Sequence, residues 1–187
     1  MIHTEKNQEM AQSVVTRFLI AGGAIGLRRV FRTGRSSVWG PILLGLFGVA
    51  LIVAGIFVTD PSLGYPPGTH ISGPQTLHGT IHGVNAIITF GLLAIACFVM
   101  ARRFAGDPNW KGWALYSIVT GVLVVMSFIA ATVVSALDES GVFPGSPTGL
   151  LQRIGIIAGW GWVALLAIRI LSKTRSPVPA RESMSNS

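Results

Sequence analysis

Two histidines one helical turn apart, His78 and His82, are the residues in this chain with the clearest capacity for chemistry. Steps of four, three and four residues keep close to whole helical turns, so His78, His82, Asn85 and Thr89 fall on one face of a helix. They form a polar stripe running from a Pro/Gly-rich loop into an apolar segment. Two imidazoles at that spacing with a carboxylate such as Asp60 are a possible Zn²⁺ ligand set, leaving a coordination position for an activated water. Asp138 or Glu139 is then a candidate general base. The spacing lacks the intervening Glu of a metalloprotease, and the third ligand has to come from His70 or Asp60. The alternative is a hydrogen-bonded polar cap, because buried polar groups need partners whatever else they do.

Haem ligation is disfavoured. Axial histidines must lie on facing helices, and the other two, His3 and His70, fall outside every apolar span. A proton or solute path along the stripe is a further possibility, since ionisable groups inside membranes often mark transport routes. Against it, residues 90–100 offer no polar side chain except Cys97.

The elements that position these residues are membrane spans. Half of the 187 residues are hydrophobic and 11% are charged, about half the charged share of a soluble domain. Segments 38–58, 81–101 and 112–137 carry no Asp, Glu, Lys or Arg, and each is long enough to cross a hydrocarbon core about 30 Å thick. The expected fold is an all-α polytopic bundle of about five helices, at 12–27, 38–58, 77–101, 112–136 and 149–171. The first is interrupted by Arg17, and the last is bracketed by Arg153 and Arg169, which can snorkel towards the interfaces. Residues 1–11 are polar, and 172–187 are expected to form a disordered tail. Small residues recur at four-residue spacing in Gly22/Gly26, Ala50/Ala54, Gly79/Gly83, Ser117/Gly121 and Gly155/Gly159, as close helix packing requires.

The net charge of +7 does not point to nucleic acid. Its basic residues cluster on alternate connections: Arg28, Arg29, Arg32 and Arg35; then Arg102, Arg103 and Lys111; then Arg169, Lys173, Arg175 and Arg181. Asp60, Asp138 and Glu139 occupy the intervening ones. That alternation follows the positive-inside rule. It places the C-terminus in the cytoplasm, with the N-terminus and the His-bearing loop outside. Cys97 is the single cysteine, so no disulfide framework exists. Residues 1–16 have no cleavable-signal pattern.

With this orientation Asp60 and Asp138 sit at helix C-termini and Arg153 in a first helical turn, each opposing the helix dipole. The expectation is therefore an outer-face cluster in which Arg153 pairs with Asp60 or Asp138, with Gln152, His78 and His82 nearby.

Several stretches carry a family resemblance. They are Ala24-Ile-Gly-Leu-Arg-Arg-Val, Trp39-Gly-Pro-Ile-Leu-Leu-Gly, Phe57-Val-Thr-Asp-Pro-Ser-Leu-Gly-Tyr-Pro-Pro-Gly, Leu77-His-Gly-Thr-Ile-His and Gly159-Trp-Gly-Trp. Together they resemble the domain-of-unknown-function 998 family of multi-pass prokaryotic membrane proteins, over about 18–171. The resemblance implies a helical bundle in the prokaryotic cell (inner) membrane and places Asp60, His78 and His82 within a family-like motif, without implying a reaction. Members usually begin with a further helix, which this chain lacks ahead of 18–27, implying a shortened N-terminus or a misplaced start. The functional expectation is a multi-pass protein with an outward-facing polar pocket. One alternative is a metal-dependent hydrolase acting on a lipid or amphiphile. The other is a small-solute transporter or a membrane assembly partner, including a homo-oligomer.

Overall fold

The computed structural model describes residues 26, 38–62 and 75–175. Apart from residue 26, the expected helix at 12–27, the first arginine cluster, His70 and the tail beyond 175 lie outside these residues. Four helices follow in order: α1 (Trp39–Ile56), α2 (Leu77–Phe104), α3 (Trp113–Glu139) and α4 (Thr148–Arg175), with a 3-10 turn at Pro108–Trp110 between α2 and α3. Each of the four is long and apolar enough to cross a membrane. The protein is a multi-pass α-helical membrane protein.

Local chemistry sets the helix ends. Pro41 lies in the first turn of α1, where a missing N–H costs nothing. Thr76 is the N-cap of α2, its hydroxyl accepting from the Gly79 N–H at 3.1 Å. Gly112 opens α3 with φ of 82°, in the left-handed region that suits glycine. Pro147 precedes α4, and its carbonyl accepts from the N–H groups of Leu150 and Leu151.

The helices pack in sequence, α1 on α2, α2 on α3 and α3 on α4. Trp160 of α4 closes back on α1, edge-on to Phe47 with ring centroids 5.2 Å apart. Leu93, Cys97 and Met100 of α2, Val124 of α3, and Trp162 and Leu166 of α4 form the buried centre. Outside it, Ile87, Ile88 and Ile95 of α2 and Leu115, Val122, Met126 and Val133 of α3 are exposed, the pattern of helices whose solvent is lipid. Gly155 and Gly159 sit where α4 approaches its neighbours most closely: a Cβ at 155 meets Ser127, and one at 159 meets Leu93 and Val124. Association inside a bilayer relies on such contacts because lipid tails are as apolar as the helices. Between α3 and α4, Trp162 donates from Nε1 to Ser117 Oγ at 2.9 Å, and that hydroxyl in turn donates to the Trp113 carbonyl at 2.8 Å.

Residues 172–175, expected at the start of a disordered tail, continue α4 to Arg175. No helix breaker precedes Pro177, and Ser172 Oγ donates to the Arg169 carbonyl at 2.9 Å. Likewise α2 runs on to Phe104, carrying Arg102 and Arg103 in its last turn. Cations there complement the helix dipole.

Candidate polar site between α1 and α2

The stripe on α2 faces α1. At its top, outside the spans, Asp60 accepts from both polar hydrogens of Thr76: the backbone N–H at 2.8 Å and the hydroxyl at 2.6 Å. The carboxylate lies so close over Gly79 that a Cβ there collides with Oδ2. Glycine at 79 is what lets the acid reach the start of the helix. These hydrogen bonds, with the Thr76 hydroxyl as the main contributor and a smaller one from the His78 charge, hold the Asp60 carboxyl below its ordinary range against a partial desolvation.

One turn down, His82 Nδ1 lies 2.7 Å from the carbonyl of Phe57, the C-cap residue of α1. A carbonyl only accepts, so Nδ1 carries the proton and Nε2 is left as the basic nitrogen of the neutral ring. This side chain satisfies one of the unpaired carbonyls at the end of α1. His78 is exposed and its ring packs on Phe57 with centroids 5.2 Å apart.

Deeper still, Asn85 and Thr89 are buried. Asn85 Nδ2 donates to the Ala50 carbonyl of α1 at 2.9 Å, and Thr89 Oγ1 donates to the Asn85 carbonyl at 2.7 Å. Below Thr89 the buried residues of α2 include Phe90, Leu93, Ala94, Ala96, Cys97 and Met100.

The second carboxylate is held in a similar way. Asp138, in the last turn of α3, accepts from the Gly145 N–H at 3.2 Å and the Ser146 N–H at 2.9 Å, just ahead of α4. Glu139, Gln152 and Arg153 are exposed.

Neither carboxylate takes Arg153 as its partner, contrary to the expected cross-face pair. The reason is local. The start of the next helix lies beside each acid, and its N–H groups, with the Thr76 hydroxyl at Asp60, take the carboxylate oxygens. Each acid therefore works at the N-terminal side of the following helix, where negative charge is favoured, although it follows a C-terminus in the sequence.

Thr76 and Ser146 are hydrogen-bond partners of the two acids that the sequence motifs do not single out. Thr76 carried a signal, a threonine directly before an apolar run, which is an N-cap pattern. At the other end of the bundle, Arg169 of α4 donates from Nη2 to the Asn109 carbonyl at 2.7 Å. Its guanidinium lies 5.1 Å from the Trp110 ring centroid and 5.4 Å from that of Trp113. From sequence, Arg169 is only a basic residue that brackets the last span and snorkels to the interface.

Among the described residues no three His, Cys, Asp or Glu side chains are grouped as a metal site. A neutral His82 would present Nε2 to a metal, since Nδ1 serves Phe57.

A model of the family described as "Protein of unknown function (DUF998)" matches residues 8–169. The chain belongs to the DUF998 family. No curated protein and no solved structure matches it. The DUF998 match covers all of α1, α2 and α3, most of α4, and the residues of the α1–α2 seam.

Proposed function

We propose that this DUF998 protein is a membrane assembly partner whose polar stripe is an interhelical seam holding up a recognition surface. One observation carries the reading: the buried part of the stripe is spent within the helix pair, with Asn85 on the Ala50 carbonyl and Thr89 on the Asn85 carbonyl. A pocket or a transport path needs polar groups turned towards a ligand. Here they are turned towards backbone, and the chain below them is apolar.

Above the seam, the Asp60–Thr76 contact joins the two ends of segment 61–75. On the neighbouring connection, Val142 and Phe143 are 72% and 48% exposed. Apolar side chains on a connection at the same end of the bundle as the Asp60–Thr76 contact suit contact with another membrane protein, a second copy included. The basic residues Arg102, Arg103, Lys111 and Arg169 at the opposite end support a cytoplasmic location for that end. The seam end then faces the outside of a prokaryotic cell membrane.

The test is photo-crosslinking in native membranes from positions Val142 and Phe143. A discrete adduct with one component or with a second copy is the expected result, and no adduct from either position overturns the reading. Metal analysis of purified protein gives a separate check. Near-stoichiometric zinc that is lost in a His78→Ala/His82→Ala double variant would replace the seam with a hydrolase-type centre.

A further inference from the structure

We propose that Asp138 is the positioning residue of the recognition surface. It holds Val142 and Phe143 out as one rigid tip, which enters an apolar pocket on the water-exposed part of another membrane protein. The inference rests on the assembly reading above and adds what builds the surface and what fits it.

The tip is closed from both sides. Where α3 ends, Gly141 takes φ of 74° and its N–H donates to the Asp138 carbonyl at 2.9 Å. The Val142 N–H donates to the Leu137 carbonyl at 2.9 Å, which completes the Schellman pattern of a helix stop. The Phe143 N–H donates to that same carbonyl at 3.0 Å. On the return side the buried Asp138 carboxylate takes the N–H groups of Gly145 and Ser146 at 3.2 and 2.9 Å. Pro144 and Pro147 fix φ beside these bonds. Asp138 thus bonds the loop with its backbone oxygen on the way out and with its side chain on the way back.

In a helix stop of this kind the residue at the Val142 position ordinarily packs on the one at the Leu137 position. Here Val142 is 72% and Leu137 38% exposed, so the apolar side chains are turned outward. They also stand clear of lipid. α3 has 27 residues and is about 40 Å long, against a hydrocarbon core about 30 Å thick. Trp110 and Trp113, at the start of α3, mark one boundary as interfacial aromatic residues do. The surplus length therefore stands at the Asp138 end, and Val142 and Phe143 follow it into water. Between Glu139 and Arg153 the chain has no charged side chain. The pocket that takes the tip is accordingly apolar, and its grip does not depend on salt.

The experiment is photo-crosslinking from position 143 of the full chain in native membranes, at low and high salt. Wild type is compared with Asp138→Asn and with Arg169→Lys, which lowers stability at the opposite end of the bundle. The amide of Asp138→Asn turns a donor towards an N–H group and leaves it unanswered. The expected adduct yield is equal in wild type and Arg169→Lys, unchanged by salt, and about tenfold lower in Asp138→Asn, where the tip has to be ordered on binding. Amide hydrogen exchange at Gly145 and Ser146 should quicken in Asp138→Asn while that of α2 stays as it was. An undiminished adduct in Asp138→Asn overturns the role of Asp138, and so does unaltered exchange at those two amides. Equal loss in Arg169→Lys overturns it too, by assigning the effect to general destabilisation. A yield that falls with salt overturns the apolar pocket, whereas no adduct in wild type overturns the assembly reading itself.

Discussion

Asp60 and Thr76 lie sixteen residues apart in the chain, yet one carboxylate takes both polar hydrogens of that threonine, at 2.8 and 2.6 Å. The pair ties the exit of α1 to the entry of α2. Thr76 also caps α2 through the Gly79 N–H, so one residue serves two helices. Thr76→Val should cost about 1 kcal/mol from the lost cap alone. Asp60→Ala should lower the thermal midpoint further in the same direction. Differential scanning fluorimetry of the purified variants checks both, and a Thr76→Val midpoint equal to wild type would remove the latch from the account.

Glycines 79 and 83 are one helical turn apart and should respond in opposite ways. A Cβ at 79 collides with Asp60, whereas a Cβ at 83 meets nothing within 4 Å. Gly79→Ala should destabilise by opening the latch. Gly83→Ala should be neutral or stabilising by up to about 1 kcal/mol, the helix preference of alanine. Equal effects at the two positions would contradict the close approach of the Asp60 carboxylate.

Acid should release the latch. The Thr76 hydrogen bonds, with the His78 charge adding to them, hold the Asp60 carboxyl below its usual value. A group with a depressed folded-state pKa contributes stability that is fully present above its unfolded value, about 3.9. That contribution is lost as pH falls through the lower, folded value. The midpoint difference between wild type and Asp60→Asn should therefore be constant from about pH 6 to pH 5, then shrink below about pH 4. A difference that persists undiminished at pH 2.5 would show that the stabilisation is not carried by the ionised carboxylate.

Asn85→Leu tests the buried part of the seam. It removes the bond to the Ala50 carbonyl while roughly keeping volume, and interhelical hydrogen bonds in membranes are worth about 0.6 kcal/mol, at most about 2. A small loss of stability is expected, together with easier separation of α1 from α2. Disulfide trapping between cysteines placed on the two helices should become less efficient in the variant. Unchanged trapping would argue against the seam.

At the opposite end, Arg169→Lys keeps the charge but loses the planar group lying over Trp110 and Trp113. A cost of about 1–2 kcal/mol is expected, with a change in tryptophan emission. An unaltered spectrum and midpoint would assign the arginine to topology alone.

The stripe itself was legible in the sequence because helical spacing alone puts His78, His82, Asn85 and Thr89 on one side, and lipid excludes them from its own. The spans at α1 to α4 were legible from uncharged length. What escaped was the direction in which each loop acid turns. Asp60 and Asp138 follow helix ends in the chain, and only the path of the intervening loop brings Thr76 or Ser146 beside them. Pairing with Arg153 was the natural guess from charge and helix dipole, but backbone N–H groups carry no letter in the sequence. The Arg169 cage escaped for a related reason: a cation at a helix end reads as orientation until Trp110 and Trp113, from the far side of the α2–α3 connection, are seen beneath it.

Cys97 is fully buried at the centre of the bundle, and the chain has no other thiol. Maleimide reagents should therefore leave the folded protein unmodified and mark it only once the helices part. The native chain is its own unfolding reporter, and cysteines can be introduced at the surface for labelling without first removing the one already there.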